Sequence, residues 1–301
     1  MKKRLAFLII SFWFVGTAFS QSDSLNSLMN LFNNYQPPTV YTEASFKTIR
    51  VVLGQSVETP AKGDMILDIQ HHFGYVNQGA YQFFGLDQAS MRLGFTYGIT
   101  DRLAVGIGRS SYNKTYDGSV KIKLLRQSTG KRNMPITLDY FGDVGLNTLK
   151  PQDLSIHYYF TNRLVFLNQI LIARKFSPGI TLQLTPSLVH VNLVATPADN
   201  NNMFALGTGG RFKITPHTSI NFEYYAMLNK QPSSIYRNSL SVGFDIETGG
   251  HVFQLFLTNS EGIIGQYFIP GTTGNWRNGD IIFGFNLTRT FVLKKPKAFE
   301  K

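Results

Sequence analysis

Fourteen charged side chains stand out along this chain, several of them two or four residues apart: Asp64, Asp68, Arg92, Arg102, Lys121, Lys123, Asp139, Asp143, Arg211, Lys213, Glu223, Arg237, Asp245 and Glu247. Lys121 and Lys123, Arg211 and Lys213, and Asp245 and Glu247 are each two apart, and Asp64 and Asp68 are four apart. On an extended strand such spacings put both members of a pair on one face. Seven of the fourteen are acidic and seven basic, which suits opposed charges that pair across a confined polar space. Eleven are carried forward as candidates for an inward face: Asp64, Asp68, Arg92, Lys121, Lys123, Asp139, Arg211, Lys213, Glu223, Arg237 and Asp245. Such balance predicts cross-lumen ion pairs, a partly filled interior or weak ion selectivity.

Other chemistry-bearing residues are less productive. His71 and His72 are adjacent, so on a strand they face opposite ways and cannot chelate one ion. No metal site is expected, and no cofactor. His157, in Ser155-Ile-His-Tyr-Tyr159, falls in an expected outer loop. Serine and histidine are available for a membrane-embedded hydrolase, but no Gly-x-Ser-x-Gly, P-loop or dinucleotide fingerprint singles out a nucleophile or a phosphate cradle. No catalytic residue is assigned, and the chain is read as not an enzyme.

The elements that must carry these charges are strands. In Gln88 to Ser111, Met91, Leu93, Phe95, Tyr97 and Ile99 alternate with Ser90, Arg92, Gly94, Thr96 and Gly98. After Thr100-Asp101 the alternation resumes. Twelve such stretches are expected, near 63–73, 88–99, 102–112, 117–127, 133–143, 163–176, 179–192, 203–214, 217–228, 237–247, 250–259 and 279–291. Most are longer than the five or six residues usual in soluble sheets and match the 9–11 needed by a tilted strand that crosses a bilayer. Their connections alternate between short and long, with the gap near 113–116 as an exception. An even strand number with short turns at one end and long loops at the other is the pattern of outer-membrane barrels. The oily face then meets lipid and the polar face lines the interior.

The expected fold is therefore all-β: a transmembrane antiparallel up-and-down β-barrel of about 12 strands with a short N-terminal helical segment. Lys2, Lys3 and Arg4, the apolar run Leu5 to Val15 and Ala18-Phe19-Ser20 read as a cleaved signal peptide over 1–20. Residues 21–61 form a periplasmic or plug segment, 62–292 the barrel and 293–301 a basic tail. Leu25, Leu28, Met29 and Phe32 suggest an amphipathic helix near 23–33. Phe46 to Leu53 reads as an extra strand or a segment threading the lumen.

The net charge is +11, or +8 without the leader's three basic residues, and much of it lies in the C-terminal tail. That thin spread, with no basic helix, argues against nucleic acid. The chain contains no cysteine, so an exported fold must rest on its core or on a closed sheet. The expected partners are outer-membrane lipid and the barrel-assembly machinery, and the expected location is the outer membrane.

The segments Ser56-Val-Glu-Thr-Pro60, His71-His-Phe-Gly74, Leu171-Ile-Ala-Arg-Lys-Phe176, Gly249-Gly-His-Val-Phe-Gln-Leu-Phe256 and Gly279-Asp-Ile-Ile-Phe-Gly-Phe-Asn286 resemble a family of uncharacterised Gram-negative outer-membrane β-barrel proteins. The resemblance runs from about 46 to 292. It implies the barrel fold and its location and supplies no catalytic or binding residue. Outer-membrane barrels often end on an aromatic residue, whereas here ten residues follow Phe291.

The leading expectation is a narrow pore or transporter for small solutes, constricted by loop 145–162 or by the helix near 23–33. The alternative is a closed structural or surface-binding barrel that acts through its outer loops. Their aromatic residues, among them Tyr81, Phe83, Tyr159, Phe160, Tyr267, Phe268 and Trp276, would form an interfacial girdle or a ligand-gripping surface.

Overall fold

The computed structural model describes residues 27, 29–30, 37–150, 159–194, 196–229 and 231–294. The expected leader, most of the expected helix near 23–33, His157 and the end of the basic tail lie outside the described residues.

In chain order the strands are β1 (Val40–Tyr41), β2 (Asp64–Tyr75), β3 (Ala89–Thr100), β4 (Leu103–Ser110), β5 (Thr115–Leu125), β6 (Ser128–Thr129), β7 (Thr137–Asn147), β8 (Leu164–Lys175), β9 (Ile180–Val191), β10 (Asn202–Lys213), β11 (Thr218–Met227), β12 (Ser239–Thr248), β13 (His251–Thr258) and β14 (Ile282–Val292). β1 and β6 form a separate two-stranded ladder outside the barrel sheet. The other twelve form a closed antiparallel barrel in which each strand pairs with its sequence neighbours, and β14 closes the ring on β2. Closure satisfies the backbone hydrogen bonds of every barrel strand, as a bilayer interior demands.

Alternation sets the two faces. In β9, Leu182 and Leu184 point outward and are exposed, while Thr181, Gln183, Thr185 and Ser187 point inward and are buried. In β13, Phe253, Leu255 and Leu257 are exposed against buried Gln254 and Phe256. The exposed apolar residues continue around the barrel through Leu93, Phe95, Val105, Ile107, Leu206 and Val242. A belt of that extent is expected only where lipid covers it.

One end of the barrel carries the turns 101–102, 176–179, 214–217 and 249–250, together with the 126–136 connection that contains β6. The other end carries 76–88, 111–114, 148–163, 192–201, 228–238 and 259–281. These are the short-turn and long-loop ends below.

The core lies inside the barrel, and the chain itself fills it. Residues 44–60 enter from the short-turn end, turn, and leave by the same end. Val51 N donates to Gly54 O at 2.9 Å and Ser56 N to Ile49 O at 2.9 Å, which closes a tight hairpin with Val52 and Leu53 at its tip. Phe46, Val51, Val52, Leu53 and Val57 are each no more than 2% exposed. Phe46 to Leu53 therefore threads the lumen and adds no strand to the barrel wall. From the other end, loop 259–281 folds inward with a short helix, Gly265–Gly271, whose Phe268 and Ile269 are buried.

Candidate functional site

The lumen at mid-height is where the charged candidates meet. The wall side chains hold the hairpin mainly by its backbone. Glu223 Oε2 on β11 accepts from Leu53 N and Gly54 N. Asn221 and Gln254 donate to Val51 O at 3.2 Å, and Asn286 donates to Val52 O at 2.9 Å. On β9, Gln183 donates to Gln55 O and accepts from Val57 N. Lys121 Nζ on β5 donates to Ser56 O and Glu58 O at 3.0 and 3.1 Å. Arg211 on β10 donates to Ala44 O and Ser45 O. These partners come from both sides of the ring, so the hairpin can sit only inside it. Buried backbone groups need partners, and an inserted segment without its own sheet takes them from the wall.

One ionic contact joins hairpin to wall in the buried centre. Arg50 Nε lies 2.6 Å from Asp68 Oδ2, and its Nη1 donates to Leu53 O at 2.7 Å. Arg92 on β3 approaches the same Asp68 oxygen at 3.6 Å and grips Asp117 on β5 with two nitrogens, Nε at 2.9 Å and Nη2 closer still. Two glycines make room for this fork. A Cβ at Gly94 or at Gly108 would strike the Arg92 guanidinium. Gly54, at the hairpin tip, likewise has no room for a Cβ, which would collide with Glu223 and the Tyr225 hydroxyl. At the short-turn rim, Lys47 pairs with Glu247 and Lys175 donates to Glu43 O.

Between the hairpin tip and the inward loop remains a cavity of about 30 Å³, bordered by Arg50, Arg92, Lys121, Asp143, Gln169 and Phe268. That is room for two or so water-sized centres. Above the inward loop, at the long-loop end, a cavity of about 410 Å³ opens, lined by Tyr112, Arg163, Met203, Gln231, Tyr236 and Tyr267, among others. The rings of Tyr112 and Tyr267 lie 5.4 Å apart, and burial pushes both phenols above their ordinary pKa.

The structure sorts the candidates. Asp68, Arg92, Lys121, Asp139, Arg211, Glu223 and Asp245 are buried. Asp64 is half-buried at the short-turn end of β2, and Lys123 is half-buried opposite Asp139 in register. Two candidates correct the expectation. Lys213 is exposed as the last residue of β10, where the strand leaves the barrel. Arg237 is exposed and precedes β12, with its N–H bonded to Thr272 O in the neighbouring loop. Arg102 is exposed in a turn. Asp117 and Arg50 were not among the candidates. Asp117 shares an inward face with Lys121, and that spacing of four is the signal that could have found it.

Of the expected constrictions, most of the helix near 23–33 and residues 151–158 of the loop lie outside the described residues. Among the described residues the lumen is filled by 44–60 and 259–281. Phe268 is 1% exposed and stacks edge-on against Tyr225 with ring centroids 5.2 Å apart, so it belongs to the interior and not to a girdle. Of the histidine pair, His72 is buried inside against Phe256, while His71 stacks outside on Phe285 at 5.0 Å.

A family model described as a membrane-bound beta barrel domain, DUF5777, matches residues 46–291. The chain belongs to this family. The DUF5777 span begins at Phe46, so it takes in the lumen hairpin together with the strands. No curated protein matches the chain by sequence. Among solved structures, the chain is similar to a NanC porin, 7% identical over 75% of this chain and 98% of that one, with a TM-score of 0.48. It is similar to the KdgM porin at 7% identity over 75% and 98%, with a TM-score of 0.43. It is also similar to the Acinetobacter baumannii outer membrane protein Omp33, at 10% identity over 76% and 99% and a TM-score of 0.40.

Proposed function

We propose that this DUF5777 barrel resides in the outer membrane and passes small polar solutes through its lumen when the 44–60 hairpin withdraws. The observation that carries this is how the hairpin is held. Wall side chains hold its backbone, and every such donor and acceptor can exchange its partner for water. The interior of a membrane barrel is polar in open and plugged barrels alike, so a vacated lumen can take up water. Here Gln183, Asn221, Gln254 and Asn286 all present amides to the interior. Both arms of the hairpin leave by the short-turn end, so it can move out as a unit without threading. Once it leaves, the inward loop 259–281 remains as the narrow point.

The absence of native cysteine makes the test direct. Thr48 Oγ1 on the hairpin lies 3.1 Å from Thr288 Oγ1 on β14. A Thr48→Cys/Thr288→Cys protein would tie the hairpin to the wall when oxidised. Single-channel recording in planar bilayers should show silence in the oxidised form and discrete openings after reduction. Equal conductance in both forms, or silence in both from folded and inserted protein, would overturn the gated reading.

A second reading has its own support. The cavity of about 410 Å³ at the long-loop end is roomy enough for a small ligand. Under that reading the barrel stays closed and acts through its outer loops. Silence of the reduced protein, together with ligand binding unaffected by the lock, would favour it.

A further inference from the structure

The charges that the hairpin covers are not balanced. Five carboxylates are fully buried on the barrel wall among the described residues: Asp68, Asp117, Asp139, Glu223 and Asp245. The wall cations buried with them are three: Arg92, Lys121 and Arg211. The hairpin supplies the fourth, Arg50. The imbalance has a position. Toward the short-turn end, Lys121 faces a wall that carries Asp139, and Arg211 is joined to Asp245 through Ser219 Oγ. At mid-height, Asp68 and Asp117 share the wall cation Arg92, Asp143 borders the same space, and Glu223 faces the N–H groups of the hairpin tip.

Arg92 cannot serve all of these groups. Its fork is committed to Asp117 through two nitrogens and is held in place by the room that Gly94 and Gly108 leave. Its approach to Asp68 is the longer one, at 3.6 Å. The near partner of Asp68 is Arg50 Nε, at 2.6 Å. When the hairpin leaves, Asp68 loses that partner and Glu223 loses both its N–H donors. The mid-height lumen beside the inward loop then presents carboxylates in excess. A ring of one sign at a constriction selects the opposite sign.

We infer that the opened lumen passes cations in preference to anions, and that Arg50 is a tethered cation occupying the permeant ion's place in the closed state. The inference rests on the gated reading and names its substrate class. It also replaces the weak selectivity expected from fourteen balanced charges, because Arg102, Lys213 and Arg237 stand outside the buried lumen.

The test is the reversal potential of reduced Thr48→Cys/Thr288→Cys protein in a planar bilayer under a KCl gradient. The expected sign is that of potassium, with a preference of several-fold over chloride. Asp68→Asn on that background should reduce the preference markedly, and so should Glu223→Gln. Each is close to isosteric, and where one fails to insert, the other and the parent still report. A zero or chloride-signed potential from an open channel would overturn this inference alone. A potassium preference untouched by both substitutions would overturn the assignment to the mid-height carboxylates. Silence of the reduced protein would overturn the gated reading and this inference with it.

Discussion

Glu223 Oε2 lies 2.8 Å from Leu53 N, and the same oxygen accepts from Gly54 N at 2.9 Å. One wall carboxylate thus takes both successive N–H groups at the tip of the hairpin. The consequences of that arrangement, and of its neighbours, can be measured.

Glu223→Ala strands two buried N–H donors. Each costs about 1–3 kcal/mol in the seated state. At about 1.4 kcal/mol per decade, the withdrawn population rises by at least ~10-fold. Open probability in single-channel records checks this. Glu223→Gln keeps one acceptor oxygen and should show a smaller rise.

Gly54→Ala acts on the same tip by crowding. The added methyl meets Glu223 and the Tyr225 hydroxyl, and the facing groups are themselves fully buried. Overpacking of this kind costs about 1–3 kcal/mol. Increased protease cleavage within 44–60 in folded, inserted barrel is the expected result.

Arg50→Met leaves Asp68 without its near partner and should destabilise the seated hairpin by about 3 kcal/mol or more. Arg50→Met/Asp68→Leu removes both charges and should recover most of that loss. A double-mutant cycle on open probability gives the coupling directly. Equal effects of the single and double variants would show that the pair does not hold the plug.

The rim pair predicts the opposite. Glu247 is 41% exposed where it meets Lys47. Exposed pairs contribute about 0–1 kcal/mol. Glu247→Gln should therefore change open probability by less than about 5-fold, an effect removed by high salt.

Leu255 stands on the outer belt between Phe244 and Phe285 in register. Leu255→Arg should cost about 2–4 kcal/mol if lipid covers that face near mid-membrane. Unfolding in urea from lipid vesicles measures it. A cost near zero would place this face in water.

Most of the barrel was legible in the sequence because strand alternation has a period of two wherever two media differ. The stretches expected at 179–192 and 203–214 became β9 and β10, Ile180–Val191 and Asn202–Lys213, within a residue or so. The polar face was legible for the same reason at Asp68, Arg92 and Asp245. Errors came where period alone cannot see the end of a strand. The alternation runs on to Lys213 and back to Arg237, but the chain has already reached the rim there. The hairpin could be read only as a choice between strand and lumen segment. Phe46 to Leu53 carries the β-branched and apolar residues of a strand, and nothing local reveals that its partners are side chains far away in sequence. Arg50 was hidden for that reason. Its meaning depends on Asp68 and Arg92, which closure of the ring brings beside it.

The hairpin also spans the line where the barrel closes. Its Arg50 bonds Asp68 on β2, and its Thr48 and Val52 bond Thr288 and Asn286 on β14. In register, Asp68 pairs with Thr288 and Gln70 with Asn286. Residues 44–60 therefore clasp the first and last barrel strands from within, and they precede both in the order of synthesis. Withdrawal of the hairpin would therefore take side-chain bonds from both sides of the one seam whose two strands lie at opposite ends of the barrel sequence.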